Sequence, residues 1–275
     1  MPTELIANAM AAALVGADAA PADFKYKPNP RPDRAFDKAA VDKSFEALKT
    51  FDWGANYDEI LAIDDAVVAA HGDPAARKDL ETRLTAVLPT DAPRAAKDFS
   101  CRMLGEIGSP DCVPALVGLL PDKDLSHMAR YALERIGGKE SLKVMRDALP
   151  KLSNELMAGM IESLGAGRDE ESVDIFAALS QSKSSDKMIA SAAINALGKI
   201  GTPKAAVHLL DIQKSAPDDL KLIAADACLV CAERLLDGGK KDEAKLIYTS
   251  LSREDQPKHV RLAAARGLLA TAKKQ

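Results

Sequence analysis

Aromatic side chains are scarce in this sequence: 4% of 275 residues, with a single tryptophan, Trp53. A core of interlocking rings is therefore excluded, and the apolar load falls on alanine and leucine. Both favour helix, and small alanines let helices approach closely. Runs of β-branched residues of strand length are hard to find, which argues against a sheet. The four cysteines, Cys101, Cys112, Cys228 and Cys231, are too few for a disulfide framework in a chain this long. No apolar run reaches the roughly 18–20 residues needed to cross a bilayer, so no membrane span is expected. A basic excess is missing too. The formal net charge is -4, whereas a non-specific nucleic-acid binder carries a positive balance, so nucleic acid is not an expected partner. What is present, 47% hydrophobic and 28% charged residues, is the composition of a folded globular chain rather than a disordered one.

The first 37 residues read differently from the rest. Leu5 to Gly16 is alanine-rich and apolar, and Ala17-Asp18-Ala19 has a faint likeness to a cleavage site. The region before it carries Glu4 and no lysine or arginine, whereas a secretory signal begins with positive charge. The expectation is therefore a docked terminal helix and a cytoplasmic protein, with export by a remnant signal as the alternative. Pro21, Pro28, Pro30 and Pro32 then stop helix formation and predict an extended linker up to residue 37, which Phe24 and Tyr26 could pin to the body.

Residues 38–275 form the second region, and its strongest signal is internal repetition. Val41, Phe45 and Leu48 fit one helix face, and Ile60, Leu61, Val67 and Val68 nearly fit another, interrupted by Asp64. After Gly72, Asp73-Pro74 supplies an N-cap followed by proline at the first helical position. From there a leucine four residues before a glycine closes a helix again and again: Leu104–Gly108, Leu133–Gly137, Leu197–Gly201 and Leu235–Gly239, with Leu164–Arg168 as a shifted copy and Leu268 as an uncapped last one. The marker leucines are spaced 29, 31, 33, 38 and 33 residues apart, and Val68–Gly72 extends the series backward. Each closing glycine is expected to take the left-handed conformation that ends a helix. A polar turn follows, as at Ser109-Pro110-Asp111 or Thr202-Pro203-Lys204, and then a second helix. Four residues ahead of the markers stand Ser100, Ala129, Met160, Ala193, Cys231 and Ala264; eight ahead stand Ala96, Leu125, Leu156, Ile189, Ala227 and Val260. Positions -8, -4 and 0 thus line one buried stripe. Two helices per repeat, neither able to bury its apolar face alone, predict an all-α superhelix of about six or seven stacked helical hairpins.

Units such as Ala196-Leu-Gly-Lys-Ile-Gly-Thr-Pro-Lys-Ala-Ala206 resemble HEAT repeats, and the short L-G-x-I-G turn is similar to the HEAT-like repeats of phycobilin lyases. The resemblance covers roughly residues 60–272. It implies a binding or scaffold module that presents the concave face of the solenoid to a protein or peptide, with a lyase-like or tetrapyrrole-binding role as the alternative. Fold-level likeness does not itself carry function.

In such a stack the second helices line the concave side. The residues two before each marker, Arg102, Tyr131, Glu162, Asn195, Glu233 and Arg266, then form a polar ladder there. It reads either as a partner-binding groove or as a solvated face. The densest patch is Ser126–Glu134, where His127, Arg130, Tyr131 and Glu134 fall at spacings of three and four. Arginine and tyrosine are favoured hot-spot residues, although an Arg130–Glu134 surface pair explains the pattern equally well. Cys228-Leu-Val-Cys231 has metal-site spacing, but Cys101 and Cys112 lie several repeats away and cannot complete four ligands, so core packing is expected. His71, His127, His208 and His259 are followed by Gly72, Met128, Leu209 and Val260. The His-Glu pairs of the HEAT-like deoxyhypusine hydroxylases are therefore missing at every position, and the basic, aromatic-rich concave face of the HEAT-like alkylpurine DNA glycosylases is not matched either. Phosphate-loop, nucleophile-elbow and zinc-protease motifs are also missing. No metal, cofactor or catalytic residue is expected.

Overall fold

The computed structural model describes residues 37–182 and 186–272. The expected Leu5–Gly16 helix and the proline-rich linker lie outside the described residues. Among the described residues the secondary structure is helical, with no strand. The helices are α1 (Lys38–Leu48), α2 (Leu61–Ala69), α3 (Pro74–Val87), α4 (Arg94–Ile107), α5 (Val113–Val117), α6 (Ser126–Ile136), α7 (Gly138–Ala148), α8 (Asn154–Ala166), α9 (Val173–Gln181), α10 (Lys187–Ile200), α11 (Pro203–Ser215), α12 (Asp218–Asp237), α13 (Lys241–Leu251) and α14 (Lys258–Ala272).

Local chemistry starts these helices where the sequence predicts. The Asp37 carboxylate accepts from the N–H groups of Ala39 and Ala40 at the head of α1. Asp73 does the same for Ala75 and Ala76 at the head of α3. Thr202 Oγ1 takes the Ala205 N–H at the head of α11, and proline fills the first position of both α3 and α11, where no donor is needed. On α1, Val41, Phe45 and Leu48 are buried together as the periodicity requires.

The even-numbered helices from α4 to α14 stack on one another as one layer, and the odd-numbered helices from α3 to α13 lie behind them as a second. One apolar cluster runs between the layers from Val41 to Ala264. The predicted stripe is its spine. Ser100, Ala129, Met160, Ala193, Cys231 and Ala264 all have 0% exposure, and Ser100 satisfies its hydroxyl by donating to the Ala96 carbonyl at 2.8 Å. All four cysteines are buried and free. Burial pushes the Cys101 and Cys231 thiols up to about 12 and Cys112 to about 11, so they are apolar packing groups at neutral pH.

Three sequence expectations need correction. Gly201 is left-handed (φ 65, ψ 37), but Gly108 is extended (φ -60, ψ 154). Its requirement is space: a Cβ there would stand 2.9 Å from Cys112 Sγ and 3.0 Å from Ile136 Cδ1. In the shifted copy Arg168 itself takes the positive φ of 56. Val68 is not a marker residue, because it is exposed while its neighbour Val67 is buried. Leu156 and Leu268, placed on the stripe, are only partly buried.

Candidate functional site

The candidate face belongs to the even-numbered helices, on the residues two before each marker. Arg102, Asn195 and Arg266 are exposed there, and Tyr131 and Glu162 are half-buried. The fifth rung is misplaced in the sequence reading. Arg94, at the head of α4, pairs with Asp124, nine residues before Leu133; Lys187, at the head of α10, pairs with Asp219, nine residues before Cys228. Gly165 packs on Ala196, one residue before Leu197; Gly198 packs on Ala227, one residue before Cys228. Pro93, Pro217 and Pro257 each accept a hydrogen bond from the N–H four residues on, and stand eleven residues before Leu104, Cys228 and Leu268. All three relations make Cys228 the structural equivalent of the marker leucine. The rung on α12 is therefore Asp226, whose carboxylate lies 3.7 Å from His259 Nε2, and Glu233 sits two turns beyond it. Cys231 and Leu235 misled the reading because α12 is long and continues its apolar stripe past the repeat.

The rungs carry different contacts. The Arg102 guanidinium stands 5.5 Å from the Phe99 ring, and that of Arg135 stands 5.7 Å from the Tyr131 ring. Glu162 is ion-paired with Lys199 on the next helix. Arg130 does not pair with Glu134. It reaches across to α8 and donates to the Gly159 carbonyl at 2.8 Å and to Ser163 Oγ at 2.7 Å, with His127 Nδ1 at 3.5 Å. Burial lowers its pKa, partly offset by the Glu134 charge, and its Nε is buried without a hydrogen-bond partner. Arg130 is thus a bridge between repeats rather than an open binding group.

The residue just after the marker controls how closely the layer stacks. Gly105, Gly165 and Gly198 stand there on α4, α8 and α10, and each of those helices packs extensively against the next. A Cβ on Gly165 would fall 2.8 Å from Ala196 Cα, closer than packed atoms allow. Glu134 on α6 and Leu229 on α12 occupy the same register, and their helices make far less contact with α8 and α14. Cavities open at those two junctions. One of 320 Å³ is lined by Leu133, Glu134, Leu142, Met145 and Ser163 among others. One of 600 Å³ is lined by Lys214, Lys221, Leu222, Arg253 and Asp255 among others.

Repeats of this design are recognisable by family. The HEAT-repeat pattern matches residues 81–158 and 147–228, together more than half of the chain. The chain belongs to the HEAT-repeat family. Deoxyhypusine hydroxylase of Danio rerio is 27% identical over 129 residues, covering 46% of this HEAT-repeat chain and 41% of that protein, so the chain spans about two-fifths of that relative's length. Among solved structures, human deoxyhypusine hydroxylase in complex with glycerol aligns at 17% identity and a TM-score of 0.36, covering 86% of each chain. The complex of CpcE and CpcF of phycocyanin lyase from Nostoc sp. PCC7120 aligns at 14% identity and 0.42, covering 92% of this chain and 100% of that one. Likenesses at these scores carry no argument here.

A hydroxylase-type metal centre does not fit the residues present. His71, His127, His208 and His259 sit on four different hairpins, and no three His, Cys, Asp or Glu residues come together as ligands among the described residues. No described helix is long and apolar enough to cross a membrane.

The sequence reading missed an aromatic group beside the first rung. Tyr57 packs edge-on against Phe51, with ring centroids 6.5 Å apart, and against Phe99, at 6.2 Å. Trp53 projects from the same loop, 72% exposed. Its signal was available: the chain's one tryptophan stands in a polar, glycine-containing stretch where no helix face needs it.

Proposed function

We propose that this HEAT-repeat chain is a non-catalytic scaffold that holds a protein or peptide against the rungs of its even-numbered helices, the concave side of the solenoid, and that it works in the cytoplasm. The supporting observation is the ladder itself. Arg102, Tyr131, Glu162, Asn195, Asp226 and Arg266 repeat at one register on helices whose stripe positions are buried in the stack. A stack fixed by its own core presents such groups at little conformational cost to the bound state. On α6, His127 borders the Tyr131 rung, while Arg130 supports it from within.

The test is capture of partners from the native cell by the wild-type chain and by a variant with Arg102, Asn195 and Arg266 all changed to alanine. These three are exposed, so the melting temperature should hold while capture is lost. Undiminished capture by that variant would remove the ladder from the binding surface. The lyase-like alternative is checked by adding bilin or haem; the visible spectrum of the pigment should be unchanged by the protein.

A further inference from the structure

The aromatic loop between α1 and α2 has a chemistry unlike the rest of the surface. From Phe51 to Asp65, the loop and the first turns of α2, stand Phe51, Trp53 and Tyr57 together with Asp52, Asp58, Glu59, Asp64 and Asp65, and no lysine or arginine; Lys49, where the loop begins, is paired with Glu46. The loop is built to keep its shape. The Asp52 carboxylate accepts Trp53's own N–H at 2.9 Å, the Asp52 carbonyl accepts from Ala55 at 3.0 Å, and Asn56 Oδ1 caps the single turn at Tyr57–Glu59. Tyr57 is wedged between Phe51 and Phe99 yet 39% exposed. Trp53 therefore stands in water on an ordered loop rather than by disorder. That position is costly for the largest ring in the chain and typical of residues that anchor interfaces. Arg102, the nearest rung, has its cation over the Phe99 ring, which joins the loop to the ladder.

We propose that this loop is the anchor for the scaffold's partner and that the segment it takes is a basic, extended stretch of protein. Lysine or arginine side chains of that segment stack on Trp53 and Tyr57 and pair with the surrounding carboxylates. Charge complementarity selects the occupant: residues 51–65 carry five carboxylates against the one Arg102 cation at their ladder edge, a balance that disfavours an acidic segment, whereas cations gain both from the ring faces and from the carboxylates. The inference rests on the scaffold reading and adds the chemical class of the partner.

Trp53 is the only tryptophan, so its emission reports on this loop alone. The full chain is titrated with oligolysine and, separately, with oligoglutamate, and the same is done for the triple variant D58N/E59Q/D64N. Oligolysine should give a saturable emission change, weakened about tenfold or more in the triple variant, and oligoglutamate none. An equal response in the triple variant would show diffuse attraction to an acidic chain and overturn the assignment. So would a free-state emission already typical of a buried indole: if independent of dilution, the chain's own N-terminal segment covers the loop; if dilution-sensitive, a second copy does. Loss of partner capture in the ladder variant combined with full capture by Trp53→Ala would sink this inference and leave the scaffold reading standing.

Discussion

The α8–α10–α12 block and the junctions on either side of it are made of the same repeat, yet they pack differently. Inside the block, Gly165 and Gly198 let the backbone of the next helix come into contact. At its borders Glu134 and Leu229 stand in place of that glycine, the helices make less contact, and cavities of 320 Å³ and 600 Å³ lie at those junctions. The difference teaches that stacking distance in this solenoid is set by one position per repeat, through side-chain volume rather than through the stripe, which is buried on both sides of the boundary.

The largest effect expected from this comparison is at the tight junctions. In an exposed helix glycine to alanine stabilises by about 1 kcal/mol. Gly165→Ala should reverse the sign and cost about 2–3 kcal/mol in urea unfolding, because the new Cβ would stand 2.8 Å from both Cα and Cβ of Ala196, which has no flexible side chain to give way. A neutral or stabilising result would show that α10 moves away freely and that the glycine does not set the spacing.

At the loose junction the contact is made by a side chain instead. Arg130→Ala should lower stability by about 2 kcal/mol, since it strips donors from the Gly159 carbonyl and Ser163 Oγ. An unchanged unfolding midpoint would show that the bridge is dispensable.

A smaller effect is expected from acid at the first hairpins. Burial alone would raise the Glu81 carboxyl. The Ser109 hydroxyl and N–H, at 2.6 and 2.7 Å, and the Lys78 ammonium together hold it below its ordinary value. A carboxyl depressed on folding contributes stability that is complete above its unfolded pKa and is lost as pH falls through the folded one. Wild type should therefore lose stability over that acid range relative to Glu81→Gln, whose stability is lower at neutral pH but flatter. Parallel curves for the two would remove Glu81 as the titrating group.

The smallest effect is the converse of the first. Glu134→Gly restores the tight-junction residue where the helices already stand apart, so only the helix penalty of glycine applies, less than about 1 kcal/mol. A loss as large as that of Gly165→Ala would break the comparison.

Much of this was legible in the chain. Asp37, Asp73 and Thr202 start helices by chemistry confined to a few residues, and all six residues read at -4 are buried, five of them at that register and Cys231 on the continued stripe of α12. The misreadings share a cause. On α12 an apolar period of 3.6 continues through Cys228, Cys231 and Leu235 alike, so periodicity cannot say which turn faces α10. That choice came from Lys187 meeting Asp219 and from Gly198 meeting Ala227. Arg130 and Glu134 have ideal spacing for an ion pair, but acceptors on α8 outcompete a solvated carboxylate, and α8 is about thirty residues away in sequence.

Repeat length, helix starts and the buried stripe were determined by the sequence alone, because each depends on neighbours within two or three turns of one helix. Register between helices, the identity of the α12 rung and the loose junctions were decided only by the tertiary structure. They depend on how far one helix stands from the next, a distance fixed by volumes contributed from two repeats at once.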